Sequence, residues 1–372
     1  RLTARFVDRR AAHLLRRLES AESAELLSAV TRRGEVVVEG HQVGHVSGFT
    51  FIPDPLAEGD ERKLVMRAAR RALREEIPRR VARLESAPDG ALALLPTLRV
   101  AWEDIPIARL RPGPSTARPL VEVMESEFLD GAKRERVRAR LQRFVDGQTR
   151  EALAPLFAAV AAADADPAIR GHVHRLLEGL GVAAGATEAE IPPALRGRMK
   201  PLGVRAGRFA LFMPALLKPR VATMRAALWS LRHGVAAPAL PAPGLVSLPV
   251  PVDWPDGFAA ALGWVEAGPV LLRLDVAERV TAELAWASRF RPIAVPADLP
   301  SRLSIRAEIL PAVIRRLGFR VLPAPTLDAG VFGPPAPPML AAPRRRRADP
   351  AADAERVTAR PGPFAALAAW RR

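Results

Sequence analysis

Apolar residues recur near every 3.6 positions over 3–31, where Phe6, Leu14, Leu15, Leu18, Leu26, Leu27 and Val30 are separated by Arg and Glu. That spacing predicts an amphipathic helix, ended by Arg32-Arg33-Gly34. The period then changes. Over 35–51, β-branched runs broken by Gly40, Gly44 and Gly48 predict two or three short strands with tight turns, closed by Pro53-Asp54-Pro55. A basic helix is expected over about 60–85, with Leu64, Ala68, Ala72 and Ile77 on one side and Arg67, Arg70, Arg71 and Arg74 on the other. The strand pattern returns over 98–110. Gln42-Val43-Gly44-His45-Val46 stands beside Pro106-Ile107-Ala108-Arg109-Leu110, and 119–124 adds a further strand. A duplicated strand–turn–strand unit with its helix is therefore expected, at a period of about 63 residues.

From 128 to about 180 the pattern is helical, with further helices at 191–199 and 215–233. In the last of these, Leu216, Leu217, Val221, Met224, Leu228 and Leu231 form an apolar stripe. Pro238, Pro241 and Pro243 mark a linker. Beyond it a small α/β segment is expected, made of 245–249, 258–262, a strand at 270–274, helices at 276–287 and 304–317 and a strand at 319–322. The expected fold class is α+β: a mainly helical region with a small β-hairpin-rich N-terminal part and a small C-terminal α/β segment. The expected divisions are a connecting helix at 1–33, the duplicated unit at 34–127, a helical domain at 128–236, the α/β segment at 244–323 and a disordered basic tail at 324–372.

Charge changes this picture most. Lys and Arg number 56 against 40 acids, a formal net charge of +16, and only Lys63, Lys133, Lys200 and Lys218 are not Arg. Arg forks onto phosphate and stacks on bases, which suits a polyanion. Abundant Ala, Arg and Pro with no Tyr is equally the bias of a GC-rich genome. With no Cys, disulfides, thiol catalysis and cysteine metal sites are excluded. No apolar run approaches the roughly 20 residues of a membrane span, so no membrane partner and a cytoplasmic location are expected. The chain starts Arg-Leu-Thr without an initiator Met, the expectation for a fragment or the distal part of a longer protein.

Most sequence signatures of catalysis are absent from the chain. No Lys is followed by Ser or Thr, so no loop of the phosphate-cradling type is present, and no GxGxxG, HExxH or GxSxG occurs. No cofactor or metal is expected in this chain. His41 with His45, and His172 with His174, lack a third ligand placed by the sequence. Asp164 and Asp166 read as helix caps. The basic helices at 67–80 and 133–143 read either as solvated faces with i,i+4 pairs or as phosphate-tracking surfaces. Trp102, Trp229, Trp254, Trp264 and Trp286 could stack bases, but each lies in an apolar pattern and core is the expected placement. Arg344-Arg345-Arg346-Arg347 is either a nonspecific nucleic-acid arm or a solvated tail.

The strongest candidate is 204–225. A basic turn (Arg205, Gly207, Arg208) runs into the apolar Phe209 to Met213, and Pro214 is expected to open a helix carrying Lys218, Arg220 and Arg225. Arg205, Arg208, Lys218, Arg220 and Arg225 are the expected phosphate contacts, presented from a rigid support.

These same residues carry a resemblance. Gly203-Val204-Arg205 through Phe209, Phe212-Met213-Pro214-Ala215-Leu216-Leu217-Lys218-Pro219, Arg225 and Leu228-Trp229 resemble the C-terminal half of alphaproteobacterial superfamily 2 (DEAD/DEAH-type) helicases, similar to the mitochondrial degradosome RNA helicase. Val38-Glu39-Gly40, Val43-Gly44, Gly48-Phe49, Phe51, Pro53-Asp54 and Pro363-Phe364-Ala365-Ala366-Leu367 look like the same group. The resemblance implies an ATP- and Mg-dependent motor of two RecA-like domains N-terminal to residue 1, with none in this chain. It implies an accessory region that guides single-stranded RNA or DNA, with a nuclease among its partners. The alternative is an interaction scaffold docking a nuclease or a ribosomal partner.

Overall fold

Four short strands, β1 (Ser28–Val30), β2 (Glu35–Val38), β3 (His41–Ser47) and β4 (Thr50–Pro53), form an antiparallel sheet in that order. This computed structural model describes residues 28–31, 33–38, 41–53, 60–323, 331 and 337–342. Positions 1–27 of the expected first helix lie outside the described residues, as do the side chains of 60–69, the basic run 344–347 and the segment 363–367. Positions 28–30 of that helix are a strand: Ser28 lies opposite Val38 and Val30 opposite Val36. The turn between them is fixed by Thr31, whose Oγ1 accepts the Glu35 amide at 3.1 Å.

A second meander follows: β5 (Leu92–Leu94), β6 (Arg99–Trp102), β7 (Ile105–Ser115) and β8 (Arg118–Val123), again antiparallel and in order. Its turns repeat the first at an offset of 64. The Thr31 amide donates to Glu35 O at 2.8 Å, and the Leu95 amide donates to Arg99 O at 2.8 Å (95 is 31 plus 64). The Val46 amide donates to Gly34 O at 2.7 Å, and the Leu110 amide donates to Leu98 O at 2.8 Å (110 is 46 plus 64). Each meander has a bulge at the same place, between Val36 and Val37 in one and Val100 and Ala101 in the other. The left-handed turn residue is Gly34 (φ +84°) in the first and Leu98 (φ +59°) in the second.

Each meander is followed by a long helix, α1 (Asp60–Ser86) and α2 (Gly131–Ala152). Asp130 caps α2 by accepting the Lys133 amide at 3.0 Å. Leu73, Ile77, Val81 and Leu84 of α1 recur at helical spacing and are buried. They share one core with Val36, Phe51, Val100, Trp102 and Leu110 of the sheets and Val137, Leu141 and Phe144 of α2. Burial of each such side chain contributes about 1.5–3 kcal/mol. Thus α2, placed by sequence in a separate helical domain from 128, belongs to the core of the two meanders.

A second core holds α3 (Ala154–Asp164), α4 (Pro167–Glu178), β9 (Val182–Ala184), α5 (Pro193–Met199), β10 (Arg205–Ala206), β11 (Ala210–Phe212), α6 (Pro219–His233) and α7 (Phe258–Ala261). Asp166 caps α4 by accepting the Ala168 amide at 3.1 Å, the role its sequence context suggested. The helix expected over 215–233 is interrupted: Pro214–Leu217 is a single 3-10 turn and α6 begins at Pro219. Proline restricts the residue before it to extended backbone, and Lys218 sits at ψ 143°.

The chain divides into two units, Arg1–Gly244 with Pro251–Trp264, and Leu245–Val250 with Val265–Arg372. The second contains β12 (Ser247–Pro249), all but the first residue of β13 (Trp264–Ala267), β14 (Val270–Arg273), α8 (Leu274–Ala287), β15 (Ile293–Ala294), α9 (Leu299–Leu303), α10 (Leu310–Arg316), β16 (Arg320–Leu322) and β17 (Met339–Ala341). Its sheets run β12-β14-β13 and β15-β17-β16. The β12–β14, β15–β17 and β16–β17 pairings are antiparallel. The helix expected over 304–317 is also split, because Ser304 at φ +52° ends α9 and a 3-10 turn (Ala307–Ile309) precedes α10.

Candidate nucleic-acid interface

The basic turn and the start of α6 are held in place by the apolar strand between them. Gly203, at φ +75°, turns the chain out of a 3-10 turn (Lys200–Leu202) and into β10. Arg205 then pairs with Phe212 and Ala206 with Leu211. The Gly207 amide closes the hairpin on Ala210 O at 2.9 Å, with Arg208 and Phe209 at its tip. Ala210, Leu211, Phe212 and Met213 are all buried, so the hairpin is anchored in the second core. Arg205 and Lys200 are exposed; Arg208 is half-buried.

At the other end of the segment, Pro219 occupies the first helical position of α6, where its missing N–H costs nothing. Lys218 stands at the N-cap without a capping hydrogen bond, and the first turn contains no acid. The helix dipole makes this end positive. Lys218 and Arg220, both exposed, add two full charges. Arg205, Lys200, Lys218 and Arg220 have no side-chain partner among the described residues.

Arg225 is a correction. It was expected at the surface with the other four, but it is 1% exposed. Its Nε donates to Leu180 O at 2.9 Å, and its Nη1 donates to Leu216 O at 3.0 Å and Leu262 O at 3.4 Å. Its Nη2 donates to Ala261 O. Burial pulls its pKa down to about 10. This guanidinium ties α6 to three other segments and has no face left for a phosphate.

Arg220 also lines a cleft of about 450 Å³. Leu94, Leu98, Val221 and Met224 supply much of its apolar wall, and Gln148, Glu151 and Thr223 face it along with Arg220. None of these four polar side chains makes a hydrogen bond to another described residue. Leu98 is the left-handed residue of the second meander, where the first has Gly34.

The other basic surfaces differ from this one. On α1 and α2, Arg70 pairs with Glu127, Arg83 with Glu103, Arg136 with Glu85, Arg138 with Glu135 and Arg140 with Asp89. Hydrogen bonds from Arg136 and Arg138 hold the Glu85 and Glu135 carboxyls below their usual range, so both stay ionised as counter-charges. Arg74 and Arg79 remain exposed on α1. Among the described residues no group of three or more His, Asp or Glu is placed to hold a metal ion.

No family model, curated protein or solved structure matches this chain. None of these comparisons links the chain to superfamily 2 helicases.

Of the five expected contacts, Arg205 and Arg208 lie on one hairpin, Lys218 and Arg220 flank Pro219, and Arg225 is withdrawn into the core. Sequence reasoning missed Lys200 and the cleft. The cleft is assembled from 94–98, 110, 148–152 and 220–228, segments that no local spacing connects. Of the tryptophans, Trp102 and Trp229 are buried as expected, whereas Trp286 is 68% exposed.

Proposed function

We propose that this chain binds single-stranded RNA or DNA through its phosphates, as the strand-guiding accessory region of a helicase-type protein. Arg205, Lys218 and Arg220 are the principal contacts, with Arg208 at the hairpin tip. The observation that carries the reading is the start of α6: a positive helix end with two exposed, unpaired cations, one of which opens onto a cleft of mixed polar and apolar lining. A phosphate held at Arg220 places the attached base at that cleft, where Gln148, Glu151 and Thr223 offer donors and acceptors to its edge. Phosphate contacts of this kind are independent of sequence. The motor, with its ATP and Mg, and a nuclease partner belong to the helicase part of the proposal and follow from the resemblance alone.

The test is fluorescence anisotropy with labelled single-stranded RNA and DNA of mixed sequence. The triple variant Arg205→Ala/Lys218→Ala/Arg220→Ala is expected to bind at least tenfold more weakly than the wild type at about 50 mM salt. Arg74→Ala/Arg79→Ala, which removes exposed charge from α1, is the control for bulk charge and is expected to lose less. A triple variant that binds as tightly as the wild type sinks the assignment.

A further inference from the structure

The C-terminal end of α8 leaves two large aromatic side chains in solvent: Trp286 is 68% exposed and Phe290 87%. Side chains of this type are normally covered, and an exposed pair marks a surface that binds something. Arg289 lies against both. Its guanidinium carbon is 4.1 Å from the Trp286 ring centroid and 4.6 Å from that of Phe290. The group is fixed: Arg289 Nη1 donates to Trp286 O at 2.6 Å, and the buried Ser288 donates through Oγ to Leu284 O at 2.7 Å. Leu284 is itself 2% exposed, so the turn that presents the rings is rooted in the core of its unit.

The charge around the rings selects among partners. Positions 286–291 read Trp-Ala-Ser-Arg-Phe-Arg, with two cations and no acid. Glu283, one turn back on α8, accepts from Arg302 Nη1 at 2.9 Å and also from its Nη2. Its charge is thereby neutralised. A guanidinium stacked on aromatic rings in a positive setting matches a ligand that alternates flat π-faces with negative charges.

We infer that Trp286, Arg289 and Phe290 form a stacking platform for the bases of single-stranded nucleic acid. The inference rests on the nucleic-acid reading above and adds a contact of a different kind, made on the second unit through base faces. Stacking is nearly indifferent to salt, whereas phosphate contacts set the salt slope. The two proposals therefore fail in distinguishable ways.

The experiment measures binding of a labelled oligouridylate of about 15 nucleotides to the full chain across a salt series. The proteins are the wild type, Trp286→Ala, Phe290→Ala, the double variant and Trp286→Phe. Each alanine variant is expected to bind about fivefold or more weakly, with the slope of log K against log salt unchanged. Trp286→Phe retains a π-face and is expected to keep most of the affinity. Equal affinity of wild type and double variant, with the wild type binding in a salt-dependent way, overturns the platform and leaves the phosphate contacts standing. A wild type that binds no single strand overturns both. Sedimentation supplies the remaining outcome: a wild-type dimer that the double variant converts to monomer, with oligonucleotide affinity unchanged, assigns the rings to a second copy of this chain and overturns the inference.

Discussion

Arg225 donates to the carbonyls of Leu180, Leu216, Ala261 and Leu262 from inside α6. Two further arginines are used in the same way. Arg80, 6% exposed, donates to Gly48 O at 3.1 Å, and Arg140, 7% exposed, donates to Ala87 O at 2.7 Å. A fork of N–H donors can join backbone segments that have no regular pairing with one another. Replacing Arg225 by Met leaves several buried carbonyls without donors, and the cost is expected at about 3 kcal/mol or more. Thermal and denaturant unfolding of Arg225→Met measures it. Arg225→Lys is expected to recover only part, since one ammonium cannot reach carbonyls on separate segments. A variant as stable as the wild type would contradict this role. The burial was legible in principle: 225 follows Val221 by four and precedes Leu228 by three, which puts it on the apolar stripe of α6. Charge type outweighed position in the sequence reading. Trp286 shows the opposite error, because apolar neighbours in sequence suggested a cover that the fold does not supply.

The two meanders show which features of an element its sequence specifies. Their shared strand–turn–strand pattern was visible because apolar and small residues recur in the same order, Val43-Gly44 beside Ile107-Ala108. The equivalence of Gly34 and Leu98 was not visible, since it lies in the backbone. Both residues take the left-handed region, yet only one is the residue type that adopts it without strain. A Cβ at Gly34 would meet Val46 O at 3.0 Å and Arg80 Nη2 at 3.1 Å. Gly34→Ala is expected to lower stability by about 1–2 kcal/mol, from the left-handed backbone and the close approach together. Urea unfolding checks it, and an unchanged midpoint would show that the turn relaxes. The break before α6 was also written in the chain, as Pro219, but the apolar stripe running through Leu216 and Leu217 suggested continuous helix. That break matters, because it frees Lys218 and Arg220 at a helix start instead of enclosing them in a helix middle.

For the whole molecule, the formal charge of +16 overstates the positive surface on offer. Arg80, Arg140 and Arg225 are internal, and many arginines of α1 and α2 face carboxylates at the surface, pairs that each contribute little to stability. Exposed cations without a side-chain partner also occur elsewhere, as at Arg74, Arg79 and Arg150; what sets Arg205, Lys218 and Arg220 apart is their rigid support, a hairpin anchored in the core and a helix start. Composition could supply the count of cations but not their distribution, which depends on long-range pairs such as Arg136 with Glu85. No helix among the described residues is long and apolar enough to cross a membrane.

The most direct test is the salt dependence of single-strand binding. For the wild type, log K should fall linearly with log salt, and the Arg205→Ala/Lys218→Ala/Arg220→Ala variant should flatten that line by about 2, at roughly 0.7 for each lost contact on a single strand. Parallel lines for the two proteins, whatever their absolute affinities, would contradict the claim that these three cations hold phosphates.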